Sequence, residues 1–225
     1  MTLIHEERPS DSPYVESITR GWTTADGSSI RPAETHWHMV FVRVNGRSLA
    51  LHVGPLTSAG VAAWGAGAEI LWVKFRLGVF MPHLPAKDFL NVETFLPEAG
   101  GQSFWLNGSA WQLPDFENAD TFADQLARRD VLAADPVVNA ALQDRASKTP
   151  LRTIRHRFAQ ATGLSQSHIR QHDRAQQAAA LLRQGVSILD AAYHAGYYDQ
   201  PHLTRSLKRF VGQTPAQLAL PTLPE

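Results

Sequence analysis

The 225-residue sequence predicts an α+β chain in two parts: a β-rich, barrel-like domain over residues 1–132 and an all-helical domain over residues 133–225. Three observations lead there. Short apolar runs broken by turn dipeptides fill the first part. Apolar residues at helical spacing fill the second. The charge changes sign between them.

The strands come first. Trp37–Val44, Ser48–Val53 and Ile70–Phe75 are apolar runs bounded by Asp26-Gly27, Asn45-Gly46, Gly54-Pro55 and Gly65-Ala66-Gly67. Asn45-Gly46 is the sharpest of these signals, because both residues tolerate the positive φ of a two-residue hairpin turn. Many short strands with regular turns suggest a sandwich or small barrel. A polar stretch from Gln112 to Asp120 then leads into a helical pattern over Phe122–Leu132.

Beyond that point the periodicity is helical. Leu151, Ile154, Phe158 and Ala161 form one stripe, ended by Gly163 with Ser165 placed to cap the next helix. Ile169, Ala175, Gln176, Ala178, Ala179, Leu181 and Leu182 mark a long helix stopped by Gly185. Ser187 caps a short helix over Ile188–His194. Ala195-Gly196-Tyr197-Tyr198 turns, and Asp199 caps a last helix that Gly212 and Pro215 end.

Composition sets the bounds. A hydrophobic fraction of 44% with 19% charged residues belongs to a well-cored chain rather than a disordered one. With no cysteine there are no disulfides and no thiolate metal sites, which suits a reducing cytoplasm. No stretch approaches a membrane span, and the opening Met-Thr-Leu-Ile-His-Glu-Glu-Arg lacks the apolar run of a signal peptide. Cytoplasmic residence is therefore expected, with no membrane partner.

The net charge of zero hides an asymmetry. Met1–Pro136 carries 10 Lys and Arg against 16 Asp and Glu, and Val137–Glu225 carries 11 against 5. A basic module is the footprint of a phosphate-backbone partner. Charge alone equally describes a solvated helical surface.

Ser187–Phe210 reads as helix, glycine turn, helix, the helix-turn-helix arrangement. On the second helix Leu203, Leu207 and Phe210 share one face. Pro201, Arg205 and Lys208 share the other, flanked by His202 and Arg209. Gln pairs with adenine and Arg with guanine or phosphate, so this chemistry suits base readout from a first turn of Gln200, Pro201 and His202. On spacing alone a helical hairpin with a charged outer face fits as well.

The run Gly196-Tyr-Tyr-Asp-Gln-Pro-His-Leu-Thr-Arg-Ser-Leu-Lys-Arg-Phe-Val-Gly-Gln-Thr-Pro215 resembles the signature of the AraC/XylS family of transcription regulators. The shared features are the glycine-aromatic turn, the capped second helix, the Phe-x-x-Gly step and the Thr-Pro ending. The resemblance runs back through Gln171–Gly185 to Leu151, and residues 1–130 resemble, less specifically, the β-rich domain that accompanies one branch of the family. It implies two helix-turn-helix units joined by a long helix, with recognition helices in successive major-groove segments of double-stranded DNA. The first would be Pro150–Gln160, with Arg152, Arg155 and His156 outward. The second would be Gln200–Phe210, with Gln200, Pro201, His202 and Arg205 in the groove and Lys208 nearer the backbone. A small-molecule effector, a homodimer partner and RNA polymerase fit such a regulator, and no enzymatic activity or cofactor is implied. One departure stands out: the family has two helices before the first recognition helix, and here only Val137 to about Arg145 fits between Pro136 and Lys148.

In the first domain, Trp37, Trp64, Trp72, Phe75, Phe80 and Trp105 are either an effector pocket or plain core. Trp111 belongs to the same set, and Arg43, Lys74 and Arg76 are candidates for an anionic ligand group. His36 and His38 invite a cupin-like metal reading with His52 or His83 as third ligand. No Glu follows within a few residues, and structural histidines fit the pattern too. Two rivals follow: a metal-dependent cupin-like enzyme with a helical appendage, and an architectural or protein-binding helical module. An alkyl-transfer repair protein is excluded by the missing thiolate.

Overall fold

The computed structural model describes residues 3–143, 145 and 149–220. Among the described residues there are thirteen strands: β1 (Leu3–Pro9), β2 (Val15–Thr23), β3 (Gly27–Arg31), β4 (His38–Val44), β5 (Arg47–Val53), β6 (Gly60–Trp64), β7 (Glu69–Phe75), β8 (Val79–Phe80), β9 (Glu93–Leu96), β10 (Glu98–Gly100), β11 (Ser103–Leu106), β12 (Ser109–Gln112) and β13 (Ala133–Ala134). A 3-10 helix, η1, spans Ala86–Phe89. The helices are α1 (Ala119–Arg128), α2 (Pro136–Leu142), α3 (Leu151–Thr162), α4 (Gln166–Arg183), α5 (Ile188–His194), α6 (Gln200–Phe210) and α7 (Pro215–Ala219).

The main sheet has six strands in the order β1-β2-β7-β4-β5-β9. Its strand pairs are antiparallel, and β1 and β9 are its edges. Register follows from the β4–β5 hairpin, where Val44 pairs with Arg47 and Asn45 and Gly46 take φ of 52° and 73°. Both positive values are what a type I′ turn requires. That register puts Met39, Phe41 and Arg43 on one face, opposite His52, Ala50 and Ser48 on β5 and Val73, Leu71 and Glu69 on β7. Phe41, Leu71, Val73 and Ala50 pack there with Phe104, Trp111, Phe122 and Leu126 in one buried cluster. Each large side chain so buried contributes about 1.5–3 kcal/mol. On the other face Val40, Leu51 and Val53 form a smaller cluster with Trp72 against it.

Packing divides the chain elsewhere than at 132/133. One compact unit comprises Met1–Gly27, His36–Pro55 and Trp64–Ser165; the other comprises Ser28–Thr35, Leu56–Ala63 and Gln166–Glu225. The reason is long-range hydrogen bonding that no local boundary signal shows. In the second unit the Ala33 N–H donates to the Phe210 carbonyl at 2.8 Å and the Ala59 N–H to the Arg209 carbonyl at 2.6 Å. The first unit retains α1, α2 and α3, and α3 packs there on α2, η1 and β8.

The second unit is built on α4. Ala175, Ala178, Ala179 and Leu182 are fully buried, and the small alanines let neighbouring helices approach closely. Leu203, Leu207, Phe210 and Leu218 fill the facing side.

Candidate nucleic-acid interface

The α5–turn–α6 geometry follows from local chemistry. Ser187 accepts a hydrogen bond from the Asp190 N–H and starts α5. At its end the Gly196 N–H donates to Tyr193 O and the Tyr197 N–H to Ala192 O, with Gly196 at φ 70°, a Schellman ending. Tyr197 is buried and its hydroxyl lies 2.7 Å from Ser206 Oγ, so the turn is pinned to the side of α6. The Arg174 guanidinium sits 4.7 Å over the same ring. Asp199 accepts from the His202 N–H at 2.7 Å, and Pro201 occupies the first turn of α6, where it removes no intrahelical bond. Pro215 does more than end α6: Thr214 and Gln217 form a capping box that starts α7.

Gly196→Val is expected to destabilise the second unit by about 1–3 kcal/mol. No atom lies within 4 Å of where its Cβ would stand, so the penalty comes from the left-handed backbone alone. An unchanged melting temperature in thermal denaturation would refute this origin of the turn.

On α6, Leu203, Leu207 and Phe210 are buried as expected. Gln200, Pro201, Arg205, Lys208 and Arg209 are exposed. His202 is half-buried, its ring edge-on to Tyr197 at 5.0 Å, so less of it faces out than its place in the first turn suggests. The sequence reading missed the exposed apolar groups beside them: Tyr198 is 93% exposed and Tyr193 81%. Their signal was present, since a tyrosine preceding the cap and another on the outer side of α5 have no core to enter.

On α3, Arg152, Arg155 and His156 are exposed and Ile154, Phe158 and Ala161 are buried. Leu151 is a correction: it is 71% exposed and does not belong to the buried stripe. The reason is its place at the helix start, ahead of the turn that α2 and η1 cover. Arg157 pairs with Asp135 at 3.5 Å and anchors α3 to the cap of α2. The expected helix to about Arg145 ends at Leu142, and residue 144 lies outside the described residues.

The six aromatics expected to line a pocket do not converge. Trp37 and Phe75 stack in the core with centroids 3.9 Å apart, and Phe80 is beside Trp37 at a small cavity. Trp72 packs on the other face of the sheet, Trp64 is half-buried on β6, and Trp105 is 46% exposed. A larger cavity of about 230 Å³ lies where the inward face of β4 and β7 runs past the core. Phe41, Leu71, Leu113 and Phe116 line its apolar part. Arg20 and Arg43 line its polar part. Arg20 donates twice to Glu6, at 2.9 and 2.7 Å, while Arg43 stands 3.7 Å from Glu69. His36 precedes β4 rather than sharing it with His38, so the two do not form an i, i+2 strand pair. Among the described residues no three His, Cys, Asp or Glu side chains are grouped to hold a metal.

The family model described as a helix-turn-helix domain matches residues 145–219. No curated protein matches the chain significantly. Among solved structures, that of ToxT from Vibrio cholerae is similar at 7% identity, covering 97% of this chain and 98% of that one, with a TM-score of 0.41. No described helix is long and apolar enough to cross a membrane.

Proposed function

We propose that this chain is a DNA-binding transcription regulator of the AraC type, a reading supported by the helix-turn-helix family match over residues 145–219, and that it reads its operator chiefly with α6. The supporting observation is the division of that helix: Leu203, Leu207 and Phe210 are buried, while Gln200, Pro201, Arg205 and Lys208 are exposed on the basic, capped, rigidly turned opposite side. Arg152, Arg155 and His156 on α3 supply a second set of contacts to bases or phosphates. Selection of bound sequences from random DNA tests this reading, and recovery of no preferred sequence refutes it. Phosphate contacts by several of these cations predict that affinity falls about 10-fold or more between about 50 and 200 mM salt. A flat response in fluorescence anisotropy would count against DNA binding through this surface.

A small-molecule effector is the second half of the proposal. It rests on the cavity at Phe41, Leu71 and Phe116, whose apolar lining and two guanidinium groups provide the few convergent polar contacts a ligand site needs. Repeating the selection with and without cell metabolites, then testing an Arg43→Ala variant, shows whether occupancy there shifts DNA affinity. RNA polymerase and a second copy of the chain remain the natural protein partners of such a regulator.

A further inference from the structure

The cavity of about 230 Å³ in the first unit has a layered lining that follows from strand register. One cross-strand row on the inward face holds Ala50 on β5, Phe41 on β4 and Leu71 on β7, with Arg20 next in line on β2. Two residues further along, the same face carries Ser48, Arg43 and Glu69, all three in the lining. Leu113 and Phe116 close the apolar side. Two of the charged groups are already committed. Arg20 donates twice to Glu6 and lies 4.4 Å over the Phe116 ring, with Glu117 a further 4.0 Å ion-pair partner. The Asp115 carboxylate accepts the backbone N–H groups of Glu117 and Asn118 at 3.0 and 2.8 Å. Arg43 and Glu69 differ from these. They stand 3.7 Å apart, beyond hydrogen-bond distance, with side chains 40% and 47% exposed. A pair so loose and so exposed is weakly held and easily exchanged for a ligand.

We infer that this cavity takes a free apolar α-amino acid, with its carboxylate on Arg43, its ammonium on Glu69 and its side chain against Phe41, Leu71 and Phe116. The charges decide the class. A simple anion drawn to Arg43 meets the Glu69 carboxylate beside it, and a simple amine drawn to Glu69 meets the Arg43 guanidinium. A zwitterion satisfies both. In an α-amino acid a single carbon separates ammonium from carboxylate, so its two charges span a gap of the same order as that between Arg43 and Glu69. The guanidinium fork offers paired donors to a carboxylate, and Ser48, cross-strand from Arg43, adds a hydroxyl to the same polar row. The apolar row beneath has no polar group to offer a polyol, whereas it accepts an aliphatic or aromatic side chain. Size agrees: the cavity is below the roughly 300–1,000 Å³ of pockets for drug-sized ligands, which suits a small metabolite. This ligand class rests on the reading of the cavity as an effector site.

The test is isothermal titration calorimetry of the full chain, without DNA, against L-phenylalanine and L-leucine. At least one is expected to bind. Its counterpart without the ammonium (hydrocinnamate or isocaproate) and its counterpart without the carboxylate (phenethylamine or isoamylamine) should each bind about 10-fold or more weakly, the loss of one charge-assisted hydrogen bond. Glu69→Gln should abolish the advantage of the amino acid over the first counterpart, and Arg43→Gln its advantage over the second, both at an unchanged melting temperature. The inference is overturned if neither amino acid binds, if either counterpart binds the unmodified chain as tightly, or if the folded variants keep full discrimination. Repeating the operator titration with the amino acid present separates the two readings. Binding that leaves operator affinity unchanged sinks the effector role and leaves the ligand class standing. Failure to bind overturns the ligand class and leaves the effector role to other metabolites.

Discussion

Phe210→Ala is expected to lower the stability of the helical unit by about 3–5 kcal/mol, the largest single-residue effect in that unit. Its ring is 2% exposed and closes the far end of α6 against α4, edge-on to His168 at 5.3 Å and His172 at 6.0 Å. Removing it loses the transfer free energy of the ring and leaves a void beside Leu203, Leu207 and Val211. The Arg209 guanidinium, 4.9 Å over the ring, loses its stacking surface as well. The Phe210 carbonyl would still accept from Ala33, so the backbone tie alone cannot rescue the packing. Denaturant unfolding followed by far-UV circular dichroism measures the change. A loss smaller than about 1.5 kcal/mol would mean that the site collapses around the void and that α6 is not held by this ring.

Arg205 and Lys208 are expected to separate base readout from backbone attachment. Both are exposed on the side of α6 away from Leu203 and Leu207, one turn apart. A helix that enters the groove by its N-terminus brings its first turns to the base edges and its later turns to the phosphates. Arg205→Ala should cost about 1–3 kcal/mol on the preferred operator and relax preference at one position. Lys208→Ala should weaken all sequences about equally and reduce the salt slope by roughly one. Specificity profiles of both variants over a randomised operator library provide the comparison. If Lys208→Ala alters the preferred sequence and Arg205→Ala does not, α6 docks in the opposite sense.

Local chemistry made much of the second unit legible from sequence. Ser187, Asp199 and Gly196 act within a few residues of themselves, so the α5–turn–α6 unit emerged with its caps and its positive φ where expected. Asn45-Gly46 likewise set the β4–β5 register through its own backbone preference. Burial of Leu203, Leu207 and Phe210 followed from helical spacing alone. Tertiary structure decided what depends on residues distant in sequence. Aromatic composition could not show that Trp37 and Phe75 stack in the core while Trp72 faces the other side, because face is set by register across the sheet. Nor could any local signal attach Ser28–Thr35 and Leu56–Ala63 to the helices, since Ala33 and Ala59 are joined to α6 by hydrogen bonds spanning well over a hundred residues.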